Sequence, residues 1–167
     1  MKRKLYLLLA AAAVLPLGGA GDAALDRATL RGIAAVNVVI DPVAADLQRE
    51  GATADALVTR LTERLRDGGI HVDKSSSEFV ALRLTSAHAG RGGFAVAATI
   101  GLYQPVMLSR DKNVKTATQT WEVETVSLAD AKQVYRACMD SVDDLAGRFV
   151  TAYRSVNPAG ETRSRAK

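Results

Sequence analysis

Apolar residues recur at every second position on both sides of a glycine-rich segment within residues 78–103, and this pattern constrains the fold of this chain more than any other feature. A period of two places successive side chains on opposite faces of a β-strand, so this stretch predicts two strands that share one buried face. The glycine-rich residues 90–93 divide the stretch and predict a hairpin turn. The alternating apolar residues are Val80, Leu82 and Leu84 before the turn and Phe94, Val96, Ala98, Ile100 and Leu102 after it.

Two further segments also predict strands. Residues 32–40 form an apolar, β-branched run that ends at Asp41 and Pro42, which is typical of a buried strand. A last strand is expected over residues 115–126, after a turn at residues 111–113, with Trp121 on its buried face. Its other face would carry Thr116, Thr118, Thr120, Glu122 and Glu124. Gly101 and Pro105 in the preceding strand predict a bulge and an edge position.

Helical spacing appears twice. Thr53 is a predicted N-cap for a helix in which apolar residues repeat every four positions and which residues 68–69, both glycine, end. Those apolar residues are Leu57, Leu61 and Leu65. Residues 127–130 resemble a capping box and predict the start of a long second helix that ends at Asn157 and Pro158. Its apolar stripe is Val134, Cys138, Val142, Leu145, Phe149 and Tyr153.

The predicted order of elements is β-α-β-β-β-α. The crossover helix and the two hairpins give an α+β two-layer sandwich, with a four-stranded, mostly antiparallel sheet and both helices on one face. The other sheet face would be open. A chain of 167 residues fits one such domain.

The N-terminus has the three parts of a secretory signal: basic residues 2–4, the apolar run 5–17, and the small residues 18–20. We expect a signal peptide over residues 1–20 that is cleaved after Ala20, because the apolar run falls short of the ~20 residues of a membrane-spanning helix. The mature chain would be periplasmic and not transmembrane. Residues 21–158 would form the single domain, and residues 159–167 a flexible basic tail.

The net charge of +4 does not indicate nucleic-acid binding. The three basic residues at positions 2–4 supply +3, and the tail after Pro158 supplies +2, so the remainder carries −1. A phosphate backbone requires lysine and arginine clustered on one face, so nucleic acid is not an expected partner.

No set of residues predicts catalysis, a metal site or a cofactor. The single cysteine, Cys138, falls in an apolar helix stripe and is expected to be a buried, inert thiol. His71 and His88 could supply two metal ligands at most, and a site needs more. Residues 90–93 could form an anion-binding nest, but they match a turn more simply. Asp140, Asp143 and Asp144 are expected on a solvated helix face. We therefore predict that the chain is not an enzyme.

The pattern resembles the small envelope-associated α/β domains of Gram-negative bacteria, such as the lipopolysaccharide-assembly lipoprotein family, which also carry an export signal. It is also similar to exported bacterial proteins of unknown function. The shared features are the short extended segment Gly69-Ile70-His71-Val72, Trp121 and a final helix that ends within residues 153–158. These resemblances imply an envelope location. The chain lacks the lipid-bearing cysteine of the lipoprotein family.

The open sheet face is the predicted functional surface. It would carry Phe79, Arg83 and Tyr103, and a purely solvated face does not require such aromatic residues. The favoured function is a noncatalytic periplasmic interaction module, with an envelope protein or a lipid-related molecule as its partner, in cell-envelope assembly or maintenance. The alternative is a carrier of a small apolar or lipid ligand between helices and sheet, in a cavity lined by Leu61, Leu84 and Val142.

Overall fold

The fold, a computed structural model, is described over residues 21–158. The predicted signal peptide and basic tail lie outside these residues. In chain order the elements are α1 (Ala24–Ala28), β1 (Asn37–Ile40), α2 (Ala45–Arg49), α3 (Ala54–Asp67), β2 (Phe79–Ala89), β3 (Gly93–Leu108), β4 (Asp111–Asp130) and α4 (Val134–Val156), with a 3-10 turn at Gly90–Gly92 between β2 and β3.

The strands form one sheet in the order β1-β2-β3-β4. Strand β1 runs parallel to β2, since α3 crosses over between them, and β2, β3 and β4 pair as antiparallel hairpins. Helices α3 and α4 pack against each other; α3 also contacts β1, and α4 contacts β3 and β4. The predicted α+β sandwich, with its mostly antiparallel four-stranded sheet, is confirmed.

The alternating residues form the core as predicted. Leu82 and Ile100 pair across β2 and β3 with no solvent exposure, and Trp121 of β4 meets Phe149 of α4 edge to face, with ring centroids 5.1 Å apart. Leu57, Leu61 and Leu65 of α3 are fully buried in the same core.

Both ends of α3 follow the predicted chemistry. The Thr53 hydroxyl oxygen accepts a hydrogen bond from the Ala56 backbone N–H at 3.3 Å, which satisfies one of the free donors of the first turn. After the C-cap Gly68, Gly69 turns the chain out of the helix at φ +82°, a conformation that favours glycine.

The predicted capping box at residues 127–130 is wrong. Those residues belong to β4, where Leu128 pairs with Ala95 and Ser127 with Val96, and α4 begins only at Val134. The local pattern of a serine followed by an aspartate three residues later fits a helix start, but pairing with the long strand β3 prevails. Asp130 caps the connecting turn instead, because its Oδ1 accepts from the Gln133 N–H at 3.0 Å.

A bulge in the β3–β4 hairpin is confirmed, and it reverses part of the predicted face. Leu102 pairs with Trp121 but Tyr103 pairs with Gln119, so Thr120 is an extra residue. Beyond it, Thr116 and Thr118 pair with residues of the helix-side face, and Thr120 donates to Gln104 Oε1 at 2.7 Å. These threonines therefore leave the open face on which the simple alternation placed them.

Two shorter features differ from the prediction, and a third agrees with it. Leu108 pairs with Asp111, so residues 109–110 form the hairpin turn in place of residues 111–113. Helices α1 and α2 have five residues each, too few to show a helical period, and the sequence did not indicate them. The predicted edge position of Pro105 is confirmed, because β2 pairs with β3 only as far as Tyr103.

Candidate functional site

The open face is the side of the sheet that points away from α3 and α4. Its residues follow from the strand register, since paired residues share a face and alternate with the buried set. No helix of the described chain lies over β2 and β3 on this side, and its small residues keep it flat. The open face comprises Phe79, Ala81, Arg83, Thr85 and Ala87 of β2, Ala95, Ala97, Thr99, Gly101 and Tyr103 of β3, and Gln119, Glu122, Glu124, Val126 and Leu128 of β4.

Phe79 and Tyr103 form a stacked pair on this face. They are directly opposite in the β2–β3 ladder, their ring centroids lie 5.0 Å apart, and the ring planes differ by 1°. Each ring is half-buried. Because cross-strand aromatic pairs contribute about 0.5 to 1.5 kcal/mol beyond their burial, the stack is held in place before any partner arrives.

A polar network fixes the far side of the stack. The Tyr103 hydroxyl donates to Gln119 Oε1 at 2.8 Å, and Gln119 Nε2 donates to the carboxylate of Glu122. The Gln119 side chain lies over Gly101, where an added Cβ would stand 3.0 Å from Gln119 Cδ. The missing side chain at Gly101 therefore lets the network form against the sheet.

Arg83 lies two rows along β2 from the stack. Its Nε donates to Asp41 Oδ2 at 2.8 Å, and the Asp41 carboxylate raises the pKa of the guanidinium. The Arg83 side chain is still 59% exposed. The structure thus brings Phe79 and Tyr103 into contact and leaves Arg83 on the same face, paired but accessible. Their role as partner contacts stays a prediction.

Two aliphatic residues on this face were missed. Val126 and Leu128 are 68% and 79% exposed and lie across from Ala97 and Ala95. The signal was in the sequence, because both continue the alternation of Glu122 and Glu124, but the assignment of residues 127–130 to a helix concealed it.

Cys138 and His88 are two of the residues considered as candidates for chemistry. Cys138 has no solvent exposure, and burial raises the pKa of its thiol to about 11, so a thiolate does not form near neutral pH. His88 packs at a tilt against Phe94. Within residues 21–158, no group of three or more His, Cys, Asp or Glu side chains is placed to hold a metal ion.

The three aspartates of α4 do not share one environment. Asp140 and Asp144 lie on the exposed side of the helix, as predicted. Asp143 does not: its carboxylate accepts from Arg60 at 2.6 and 2.8 Å and contacts Arg64 at 3.1 Å. It is a structural residue that connects α4 to α3.

The residues predicted to line a ligand cavity are packed in the core. Leu61 and Val142 have no exposure, and Leu84 has 5%. A surface pocket of about 370 Å³ lies beside α4 and does not reach them. It is lined by Asp22, Arg27, Asp143, Asp144, Gly147, Arg148, Thr151 and Ala152.

The chain is similar in structure to several solved proteins, all at low identity. A dodecameric PelC variant from Paraburkholderia phytofirmans is 10% identical, with a TM-score of 0.40 over 67% of this chain and 82% of that one. A minor lipoprotein from Acinetobacter baumannii is 11% identical, with a TM-score of 0.38 over 73% and 93%. Rare lipoprotein B from Shewanella oneidensis is 12% identical, with a TM-score of 0.35 over 71% and 94%.

No protein-family model and no curated protein matches the chain. Among residues 21–158, none of the helices combines the length and apolar character required to cross a bilayer.

Proposed function

We propose that the chain is a noncatalytic interaction module, exported to the periplasm, that contacts a protein of the cell envelope through the open face at Phe79, Arg83 and Tyr103. One observation carries the proposal: a stacked aromatic pair and an accessible arginine stand on a sheet face that no helix of the described residues covers. Aromatic residues and arginine contribute most to binding energy at protein interfaces.

Preorganisation supports this function. The stack and the bond between Tyr103 and Gln119 hold the two rings in one arrangement, so little side-chain entropy remains to be lost on binding. Within residues 21–158, Arg83 donates a hydrogen bond from Nε to Asp41 and keeps its other donors for a partner's carboxylate or carbonyl groups. Two aromatic rings and an exposed guanidinium on one sheet face suit contact with another protein.

Export supports the location. The basic, apolar and small-residue order of residues 2–20 is that of a signal peptide, and cleavage after Ala20 would release the single domain of residues 21–158 with its basic tail. Assembly or maintenance of the envelope is the role that this location and a binding surface without catalytic groups fit best.

The test is capture from a periplasmic extract with the chain as bait, followed by crosslinking and mass spectrometry. The triple variant Phe79→Ala, Arg83→Ala and Tyr103→Ala should stay folded, with a loss of about 1 to 2 kcal/mol from the stack, and should no longer capture the partner. The matched control, Arg136→Ala with Asp140→Ala, removes an exposed ion pair on α4 and should capture it unchanged. Capture of the same partner by the folded triple variant would refute the proposal.

A further inference from the structure

Strand β4 forms one edge of the sheet, and its alternate residues point their backbone groups away from β3. Two contacts identify this outward set. The Glu122 N–H donates to the Gly21 carbonyl at 3.3 Å, and Arg148 Nη1 donates to the Glu124 carbonyl at 2.8 Å. The ladder with β3 runs without a shift from Trp121 to Asp130, so Val126 and Leu128 direct their N–H and C=O groups the same way.

The outward groups differ in whether they are covered. Gly21 and Arg148 occupy the edge at Glu122 and Glu124. At Val126 and Leu128, no residue of the described chain, 21–158, hydrogen-bonds to the outward N–H or C=O groups. Residues 125–130, which we call the free edge, therefore pair with β3 on one side and present unpaired backbone groups on the other.

The side chains of the free edge are of the kind that strand addition uses. Val126 and Leu128, at 68% and 79%, are among the most exposed large hydrophobic residues of the described chain, and they flank the same unpaired backbone groups. Exposed edges are usually protected by lysine, proline or a bulge. The Thr120 bulge and the lysines at positions 112 and 115 protect the other half of β4, whereas residues 125–130 contain no lysine, proline or bulge.

Charge defines what could pair there. On the open face, Glu124 and Asp130 bracket the two aliphatic residues, and within residues 21–158 neither carboxylate forms an ion pair. Side chains directly opposite one another on adjacent strands interact, and like charges there are destabilising. On this face the order is acidic, aliphatic, aliphatic, acidic. A partner strand therefore pairs best if it has two aliphatic residues in the middle and a basic residue on each side.

A second copy of this chain fits poorly in the antiparallel register that pairs the two aliphatic residues with each other. An antiparallel pairing that sets Val126 of one copy against Leu128 of the other also sets Glu124 against Asp130, so carboxylates oppose each other on both sides. The same chemistry that favours a basic partner disfavours self-association.

We propose that the free edge binds an extended segment of another protein as a fifth strand, and that this segment carries two alternate aliphatic residues between basic ones. The proposal rests on the proposed function only in requiring a protein partner, because it uses the β4 edge and not Phe79, Arg83 or Tyr103. Backbone hydrogen bonds supply affinity in this binding mode, and the alternate side chains supply specificity.

The test uses the purified chain and a fluorescent acetylated peptide of sequence Lys-Thr-Val-Thr-Val-Thr-Lys, with anisotropy as the readout. The peptide should bind saturably, and replacement of both lysines by glutamate should weaken binding by about tenfold or more. N-methylation of one alternate set of amides should abolish binding, while methylation of the other set should not. The sensitive set reports strand direction, since antiparallel and parallel pairing use different sets.

Protein variants locate the site. Leu128→Pro removes an outward N–H that the ladder with β3 does not use, and it should abolish binding while circular dichroism shows a folded chain. Should that variant unfold, Val126→Thr with Leu128→Thr keeps strand propensity and should still weaken binding about tenfold. The control Val114→Thr, on the exposed part of β4 before the bulge, should bind as the wild type does.

Three outcomes would overturn the proposal: no binding, binding that tolerates methylation of both sets, or a dimer in sedimentation that Val126→Thr with Leu128→Thr dissociates. The last would make a second copy the occupant. The triple variant at Phe79, Arg83 and Tyr103 should bind the peptide normally. Failure here therefore leaves the capture result for the open face unaffected, and the two proposals fail separately.

Discussion

At the scale of single residues, Asp22 connects the start of the described chain to the core. One carboxylate oxygen, Oδ1, accepts from the Trp121 indole N–H at 3.1 Å and from Arg27 Nε at 2.7 Å, and Oδ2 accepts from Arg27 at 2.6 Å. A buried tryptophan needs a partner for its N–H group, and Trp121 is only 1% exposed. The segment before α1 therefore packs against the core, although its small residues show no pattern in the sequence that predicts such a contact.

We expect Asp22→Asn to destabilise the fold in a pH-dependent way. The hydrogen bond from Arg27 is the main cause that lowers the pKa of Asp22, with Trp121 adding to it against the opposing effect of burial. A lowered folded-state pKa contributes stability above the unfolded value and loses it as pH falls through the folded value. Urea unfolding at pH 7 should show a loss of about 1 kcal/mol.

The same comparison at lower pH separates charge from shape. The difference between wild type and Asp22→Asn should shrink as pH falls below about 4 towards the lowered folded-state pKa of Asp22, because the unfolded chain takes up the proton first. Asp140→Asn, on the exposed side of α4, is the control and should change stability little at any pH. A difference that stays constant from pH 7 to pH 3 would show that the charge of Asp22 contributes nothing.

At the scale of elements, periodicity decided what the sequence could predict. Strands β2 and β3 and helices α3 and α4 repeat their apolar residues over many positions, and their core faces are confirmed. The end of β4 depends on pairing with β3, which is distant in sequence, while residues 127–130 match a local helix signal. Non-local pairing prevailed over local preference, and no single-segment pattern contains that information.

The candidate site could also be predicted only in part from the sequence. The contact between Phe79 and Tyr103 could be expected, because alternation placed both on one face of adjacent strands. The exposure of Val126 and Leu128 was not predicted, because the assignment of residues 127–130 to a helix ended β4 too early. The Thr120 bulge also changed which threonines share the open face, because one extra residue reverses every side chain beyond it.

Close packing between α3 and α4 gives a prediction at this scale. A Cβ built on Gly68 would stand 2.3 Å from Val150 Cγ2, so Gly68→Ala should push the end of α3 away from α4 and cost about 1 to 3 kcal/mol in urea unfolding. The double variant Gly68→Ala with Val150→Ala should be more stable than the sum of the two single effects predicts.

The control is Gly147→Ala on α4, where an added Cβ meets no atom within 4 Å. It should leave stability unchanged or raise it by up to about 1 kcal/mol, because alanine favours the helix. Additive effects of Gly68→Ala and Val150→Ala would mean that the helices adjust without strain at this contact.

At the scale of the whole molecule, the helices cover one face of the sheet, and the open face and the free edge remain as the two proposed contact surfaces. Helices α3 and α4 cover the inner face of the sheet and are joined by Asp143 with Arg60 and Arg64. The excess positive charge belongs to residues 2–4 and to the tail after Pro158, while residues 21–158 carry −1. A near-neutral body with an open face and an acidic edge fits recognition of protein surfaces better than recognition of phosphate.

Export is the prediction at this scale. The expected cleavage site lies directly before Gly21, a residue that contacts β4. Gly21 adopts φ +103°, its carbonyl accepts from Glu122, and an added Cβ would stand 2.6 Å from the Glu122 carbonyl oxygen. Cleavage after Ala20 would make this glycine the first residue of the mature chain. The intact mass of protein recovered from the periplasm should correspond to a chain that begins at Gly21.

Ala20→Arg, which removes the small residue required before the cleaved bond, should leave an uncleaved precursor in the membrane fraction. Recovery of wild-type protein that still begins at Met1, held in the inner membrane, would refute export as a soluble chain.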